Sequence, residues 1–162
     1  IDKRITVDGD AVATPKNLLV PLGTKIYKVI EACGGYKAPP AKIIMGGPMM
    51  GRAIYTDGKP IIKNNNAILA FDSKQAHLEE ESSCINCGRC IRVCPSNLMP
   101  ALINRAYYNN DLEEMKRLNV MACIGCGCCS YVCPAKRMLN IVHSLGKSKI
   151  KEMEVAKKNG RI

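Results

Sequence analysis

Two stretches decide how this chain folds: Cys84-Ile-Asn-Cys87-Gly-Arg-Cys90-Ile-Arg-Val-Cys94-Pro95 and Cys123-Ile-Gly-Cys126-Gly-Cys-Cys129-Ser-Tyr-Val-Cys133-Pro134. Each has the form C-x-x-C-x-x-C-x-x-x-C-P, and together they hold eight of the ten cysteines. Three thiolates at two-residue intervals let one loop wrap a cubane from one side, while the fourth sits on a short helical turn and points elsewhere. Such runs are the ligand pattern of two [4Fe–4S] clusters.

Working outward, the alternatives for so many cysteines fall away. The first ten residues carry five charges and no apolar core, so no signal peptide is visible. Dense C-x-x-C spacing without a secretory signal points to metal ligation in a reducing compartment instead of disulfides. Zinc takes its four ligands from two separated knuckles. Here each run already supplies four cysteines within eleven residues, with no histidine nearby in sequence. The longest uncharged run, Asn119 to Ala135, contains five cysteines, two glycines and a proline, so it is a cluster loop and not a membrane span. The chain is expected to be soluble.

The 162 residues allow one ordinary domain or two small ones, and 47% hydrophobic content suffices for a core. With no Trp and one Phe, aliphatic residues and Met must fill it. Ile1 opens inside an expected strand without an initiator Met, so a longer parent protein is expected. The net charge of +10 is uneven. Residues 1–75 carry 11 basic and 6 acidic groups, residues 76–135 carry 5 and 6, and residues 136–162 carry 8 and 2.

The first half reads as a small α+β unit. Strands are expected from Arg4 to Asp10, Asn17 to Val20, Ala41 to Met45, Lys59 to Ile62 and Ala67 to Phe71, with Asn64 to Asn66 as a turn. Ile26, Val29, Ile30 and Cys33 form the stripe of one helix, capped by Thr24 and closed by Gly34-Gly35. That periodicity makes Cys33 a core residue and not a ligand. Gly46-Gly-Pro-Met-Met-Gly51 has neither G-x-G-x-x-G nor G-K-[ST], which disfavours nucleotide binding. A tight loop packing Met49 and Met50 onto a neighbour is expected there.

The second half reads as helical. Ser73 to Glu81 is a polar helix or linker with Glu79 to Glu81 as a solvated charge run. Leu102, Ile103, Ala106 and Tyr107 share one helical face, and Asn109-Asn110 breaks that helix. Asp111 with Glu114 forms a capping box for a helix lined by Leu112, Met115 and Leu118. Met138, Ile141, Val142 and Leu145 mark another helix, and Lys147 to Lys158 a basic, mostly polar one.

In two-cluster ferredoxins the fourth cysteine of each run ligates the other cluster. The expected ligand sets are therefore Cys84, Cys87, Cys90 and Cys133 for one cluster, and Cys123, Cys126, Cys129 and Cys94 for the other. Gly88, Gly125 and Gly127 supply tight loop conformations that keep backbone N–H groups near the sulfurs. Cys128 is expected to be a bystander, His77 to belong to a polar linker and His143 to a helix face.

The two runs with their helical spacer resemble the cluster domain of the RnfC family, a component of the Rnf complex, which is a membrane-bound, ion-translocating ferredoxin:NAD⁺ oxidoreductase. V-D-G-D-A-V, N-L-L-V-P-L-G-T, I-E-A-C-G-G-Y and I-M-G-G-P-M-M-G resemble that family's SLBB segment, a β-grasp unit. The resemblance covers nearly all of residues 1–145. It implies an SLBB β-grasp domain over residues 1–75, an all-α dicluster ferredoxin domain over 76–146 and a basic C-terminal helix over 147–162. FMN and NADH are then expected only in an N-terminal region outside this chain, which would carry electrons without turning over NADH.

On this reading the chain relays single electrons between a distant flavin and a ferredoxin or another redox protein, beside other Rnf-type subunits at the cytoplasmic side of the cell membrane. The basic C-terminus is a candidate for peripheral membrane contact. A related soluble reductase of the cobalamin-reductase type would share these domains. A nucleic-acid-binding protein with structural clusters is the reading from another class. Aromatics are only 4% and none interleaves with the basic residues of the tail, which leaves no stacking platform and argues against nucleic acid. A small-ligand site in the first half would rest on the Gly46–Gly51 loop alone.

Overall fold

The structure, a computed structural model, describes residues 1–160. They form two compact units, Ile1–Leu78 and a second beginning at Glu79.

The first unit is a five-stranded mixed sheet with one helix. Its strands are β1 (Asp2–Asp8), β2 (Lys16–Pro21), β3 (Lys42–Met45), β4 (Arg52–Ile54) and β5 (Ala67–Phe71), in the order β2-β1-β5-β3-β4. β1 runs antiparallel to β2 and parallel to β5, pairing Val7 with Ile68. β3 runs antiparallel to both β5 and β4. Helix α1 (Ile26–Glu31) lays Ile26, Val29 and Ile30 against Ile5, Val7, Ile43 and Ile68, all buried. Cys33 belongs to the same core, and burial pushes its thiol pKa up while Lys16 pulls it down. An apolar stripe on one helix meeting the alternate residues of a sheet is what such a unit needs to exclude water.

Three local expectations are corrected here. Lys59–Ile62 is not a strand of the sheet; its one ladder contact is an isolated bridge from Pro60 to Lys25. The segment instead serves α1, whose first free N–H groups, at Ile26 and Tyr27, donate to the carbonyls of Lys59 and Asp57 at 3.0 and 3.1 Å. For the same reason Thr24 is not the cap: Lys25 occupies that position without a side-chain hydrogen bond. Backbone carbonyls do the work expected of a hydroxyl. Met49 and Met50 are 40% and 65% exposed, so the loop leaves much of both side chains to solvent instead of packing them away. Gly51 is the residue the loop depends on, because a Cβ there would collide with Ile44 and the Gly47 carbonyl.

The second unit contains α2 (Arg89–Arg92), α3 (Pro100–Tyr108), α4 (Leu112–Arg117), a 3₁₀ turn at Val120–Ala122, α5 (Cys128–Tyr131) and α6 (Leu139–Lys158). The Asp111 side chain accepts from the Glu114 N–H at 2.8 Å and so caps α4. Leu98, Ile103, Ala106, Met115, Val120 and Ile150 close the core. Gly146 leaves the space into which Met115 reaches.

The expected separate helix over 147–162 is a further correction. Lys147–Lys158 continues α6 without a break, while Arg161 and Ile162 lie outside the described residues. Ile150 is fully buried, Lys147 Nζ donates to the Cys123 carbonyl at 2.7 Å, and Lys149 stands over the Tyr107 ring. The basic segment therefore has an inner face that completes the core. Residues 73–81 form no helix; the Asp72 carboxylate turns the chain by accepting from Lys74 and Gln75. The glutamates that follow are also engaged: Glu79 pairs with Lys136 at 2.9 Å, and Glu81 accepts from the Met138 N–H at 3.0 Å.

Candidate metal centres

The two cysteine runs fold as one motif used twice, offset by the 39 positions from Cys84 to Cys123. Helices α2 and α5 match residue for residue at that offset, as do the starts of α3 at Pro100 and α6 at Leu139. So does the backbone. Asn86 and Gly125 adopt φ of 54° and 69°, Gly88 and Gly127 of 70° and 81°, and Asn97 and Lys136 of 51° and 53°. Left-handed conformations favour Gly and tolerate Asn, so both runs bend at the same places with different residues. The glycine pattern points to three of these bends. Asn86, Asn97 and Lys136 carry no such signal, and only alignment of the two runs on each other exposes them.

The thiols face two separate cavities. One, of about 260 Å³, is lined by Cys84, Cys87, Cys90 and Cys133, with Ile85, Ile91, Leu102 and Leu139 among its walls. The other is lined by Cys94, Cys123, Cys126 and Cys129, with Leu98, Pro100 and His143, and its volume is only about 20 Å³. Each cavity thus gathers three cysteines of one run and the last of the other. Among the described residues no three His, Cys, Asp or Glu side chains stand close enough to hold a single metal ion. Four thiols spread around an apolar hollow suit a cubane, whose four irons would each take one cysteine sulfur. The first cavity has room for it. The second is tighter, and Ile124, which lines it, is 63% exposed.

Burial disfavours bare thiolate at both sites. It pushes the Cys129 thiol up to about 11, partly offset by hydrogen bonding at Ser130. It also raises Cys90, with backbone hydrogen bonding at Ala101 and Ile91 pulling the other way. Loading such sites must displace protons, so the metal charge has to replace the solvation that the thiolates lack. The Leu98 N–H donates to Cys94 Sγ at 3.3 Å, the kind of backbone contact that tunes a bound cluster. Cys128 lines neither cavity; a hydrogen bond with Cys126 is the main reason its thiol pKa is raised.

His143 corrects the expectation of a helix-face residue away from any site. Its ring is 1% exposed, with Nδ1 3.7 Å from Cys123 Sγ and Nε2 3.2 Å from the Pro100 carbonyl. Burial holds its pKa below the ordinary histidine value. Twenty residues of sequence hide a neighbour that α6 brings alongside the second run. Arg137 is equally hidden: it lines the first cavity, and its Nη2 donates to Asn104 Oδ1 at 3.0 Å. His77 lines neither cavity.

Comparison with known proteins agrees with this architecture. Residues 4–53 match the SLBB domain, and residues 77–134 match the 4Fe-4S dicluster domain. The cofactors are accordingly two [4Fe–4S] clusters. The chain is 46% identical over 103 residues to the C subunit of the ion-translocating oxidoreductase complex of Methanosarcina acetivorans, covering 64% of this chain and 23% of that protein. It is 43% identical over 104 residues to the C subunit of the proton-translocating ferredoxin:NAD(+) oxidoreductase complex of Clostridium ljungdahlii, with the same coverage of 64% and 23%. With the C subunit of the Na(+)-translocating ferredoxin:NAD(+) oxidoreductase complex of Acetobacterium woodii, identity is 39% over 117 residues, covering 72% and 26%. The chain spans about a quarter of the length of these relatives. It joins an SLBB domain to a 4Fe-4S dicluster domain, and over that span it is similar to a part of the C subunits of ion-translocating oxidoreductase complexes.

Proposed function

We propose that this chain is an electron-transfer module that relays single electrons through its two [4Fe–4S] clusters within a membrane-associated, ion-translocating ferredoxin:NAD oxidoreductase complex. The observation that carries the reading is the redistribution of eight cysteines from two runs into two four-thiol cavities. On this proposal Cys84, Cys87, Cys90 and Cys133 hold one cluster, and Cys123, Cys126, Cys129 and Cys94 hold the other. The exchanged fourth ligands tie the two halves of the unit together, so loading stabilises its fold. A [4Fe–4S] cluster supplies one-electron chemistry when bound. The chain's own residues shape two largely apolar hollows, orient the sulfurs and set the surrounding charge.

The first unit is read as a β-grasp SLBB domain over 1–75 and the second as an all-α dicluster ferredoxin domain over 76–146. Other Rnf-type subunits and a ferredoxin or another redox protein are the proposed partners, at the cytoplasmic side of the membrane. No helix among the described residues is long and apolar enough to cross a membrane, so attachment through them would be peripheral. Exposed Lys151, Lys157 and Lys158 on α6 are the candidates for contact with anionic headgroups.

Mixing the anaerobically reduced, cluster-loaded chain with an oxidised low-potential ferredoxin tests the relay. Transfer of single electrons to the acceptor supports it. Absence of transfer to any one-electron acceptor, with both clusters bound, rejects it.

A further inference from the structure

We infer that Arg137 makes the cavity of Cys84, Cys87, Cys90 and Cys133 the more easily reduced of the two sites, so that an electron shared by the pair rests on that side. The inference rests on the ligand sets proposed above.

The repeat in the second unit provides the comparison. At the offset of the two runs, Arg137 is the counterpart of Leu98. Arg137 lines the first cavity and Leu98, 4% exposed, lines the second. At this matched wall position the two sites differ by a full positive charge, and Arg89, exposed and matched by Cys128, adds a second cation to the lining of the first cavity. The guanidinium is fixed in place. Nη2 donates to Asn104 Oδ1 at 3.0 Å, Nη1 to the Ser82 carbonyl at 3.4 Å, and the group lies 5.7 Å from the Tyr108 ring centroid. Its Nε is buried with no hydrogen-bond partner, since Glu81 Oε2 stands off at 3.9 Å. Glu81 does not line the cavity; its other oxygen is held by the Met138 N–H. The cation is therefore nearer the site than its counter-charge.

Reduction adds one negative charge to a cluster already negative with its thiolates. A fixed cation in a partly buried wall stabilises that charge, and a leucine does not. Solvent acts in the same direction, because Cys84 and Cys87 are exposed while no cysteine of the second set is. The second site has the Leu98 N–H on Cys94, His143 beside Cys123 and Lys147 Nζ, 2.7 Å from the Cys123 carbonyl, in its favour. The first has backbone hydrogen bonding at Cys90 to set against them. Lys147 lines neither cavity, whereas Arg137 and the exposed Arg89 both line the first, so the balance of charge favours that site.

The test is an EPR-monitored redox titration of the reconstituted full chain, with iron and sulfide measured for every variant. Two midpoint potentials are expected. Arg137→Gln lowers the upper one by about tenfold in the reduction equilibrium, about 59 mV for one electron, and leaves the lower one in place. Arg137→Lys restores most of the shift, and Glu81→Gln moves the upper potential upward. A fully loaded Arg137→Gln chain with both potentials unchanged, or with only the lower one moved, overturns the inference and leaves the ligand sets standing. Should Arg137→Gln lose a cluster, Glu81→Gln decides alone, and an unmoved upper potential overturns the inference. A wild-type chain that takes up fewer than two clusters contradicts the ligand sets instead.

Discussion

His143 holds Nε2 3.2 Å from the Pro100 carbonyl and Nδ1 3.7 Å from Cys123 Sγ, joining α6, the start of α3 and the second cysteine run through one buried ring. The carbonyl can only accept, so Nε2 carries the proton and Nδ1 is left facing the sulfur. His143→Leu keeps the bulk and strands the Pro100 carbonyl, which should cost about 1–3 kcal/mol of stability in thermal or denaturant unfolding. In the loaded chain the same change should alter the EPR signal of one cluster and spare the other.

The exchange of fourth ligands gives a crossed pattern of mutant effects. Cys133→Ser should disturb the cluster that Arg137→Gln shifts, although Cys133 belongs to the second run. Cys94→Ser should disturb the cluster that His143→Leu shifts, although Cys94 belongs to the first. Iron content should fall by about half in each case. Effects that follow the runs instead of crossing them would reverse the assignment.

Gly9 turns the chain out of β1 at φ 113°, where a Cβ would overlap the Ala70 carbonyl on β5. Gly9→Ala should therefore destabilise the first unit by about 2–4 kcal/mol in urea unfolding. Gly23→Ala is the control. Its φ is also positive, at 90°, but no atom lies within 4 Å of the added carbon, so the loss should be about 1 kcal/mol.

Tyr36 donates its hydroxyl to Asp57 Oδ2 at 3.2 Å, and burial followed by the Asp57 charge raises the phenol pKa well above its ordinary value. A raised folded-state pKa contributes stability that is complete below the unfolded value near 10 and is lost as pH climbs towards the folded one. The melting temperature should fall above about pH 10, and Tyr36→Phe should flatten that part of the profile. A spectrophotometric titration should find one of the six tyrosines ionising last.

What the sequence reveals divides along physical lines. Strands β1, β2, β3 and β5, helix α1 and the capped α4 have local signals, namely alternation, a helical stripe and the Asp111 cap. β4 does not, because Arg52-Ala-Ile54 is too short for a pattern and exists through its pairing with β3. Lys59–Ile62 has the composition of a strand, but tertiary demand for carbonyls at the start of α1 overrides it. The separate basic helix fails similarly, since Ile150 and Gly146 read as scattered residues until α3 and α4 supply their neighbours. Around the clusters the cysteines are legible because ligation fixes their spacing. Arg137 and His143 are not, because the contacts that make them matter cross 33 and 20 residues of chain.

Iron and acid-labile sulfide analysis of the anaerobically reconstituted chain, with EPR of the dithionite-reduced sample, tests the central claim most directly. Two cubanes in the two four-thiol cavities predict about eight iron and eight sulfide per chain, with reduced-cluster signals. Stoichiometric zinc and no iron uptake would contradict it.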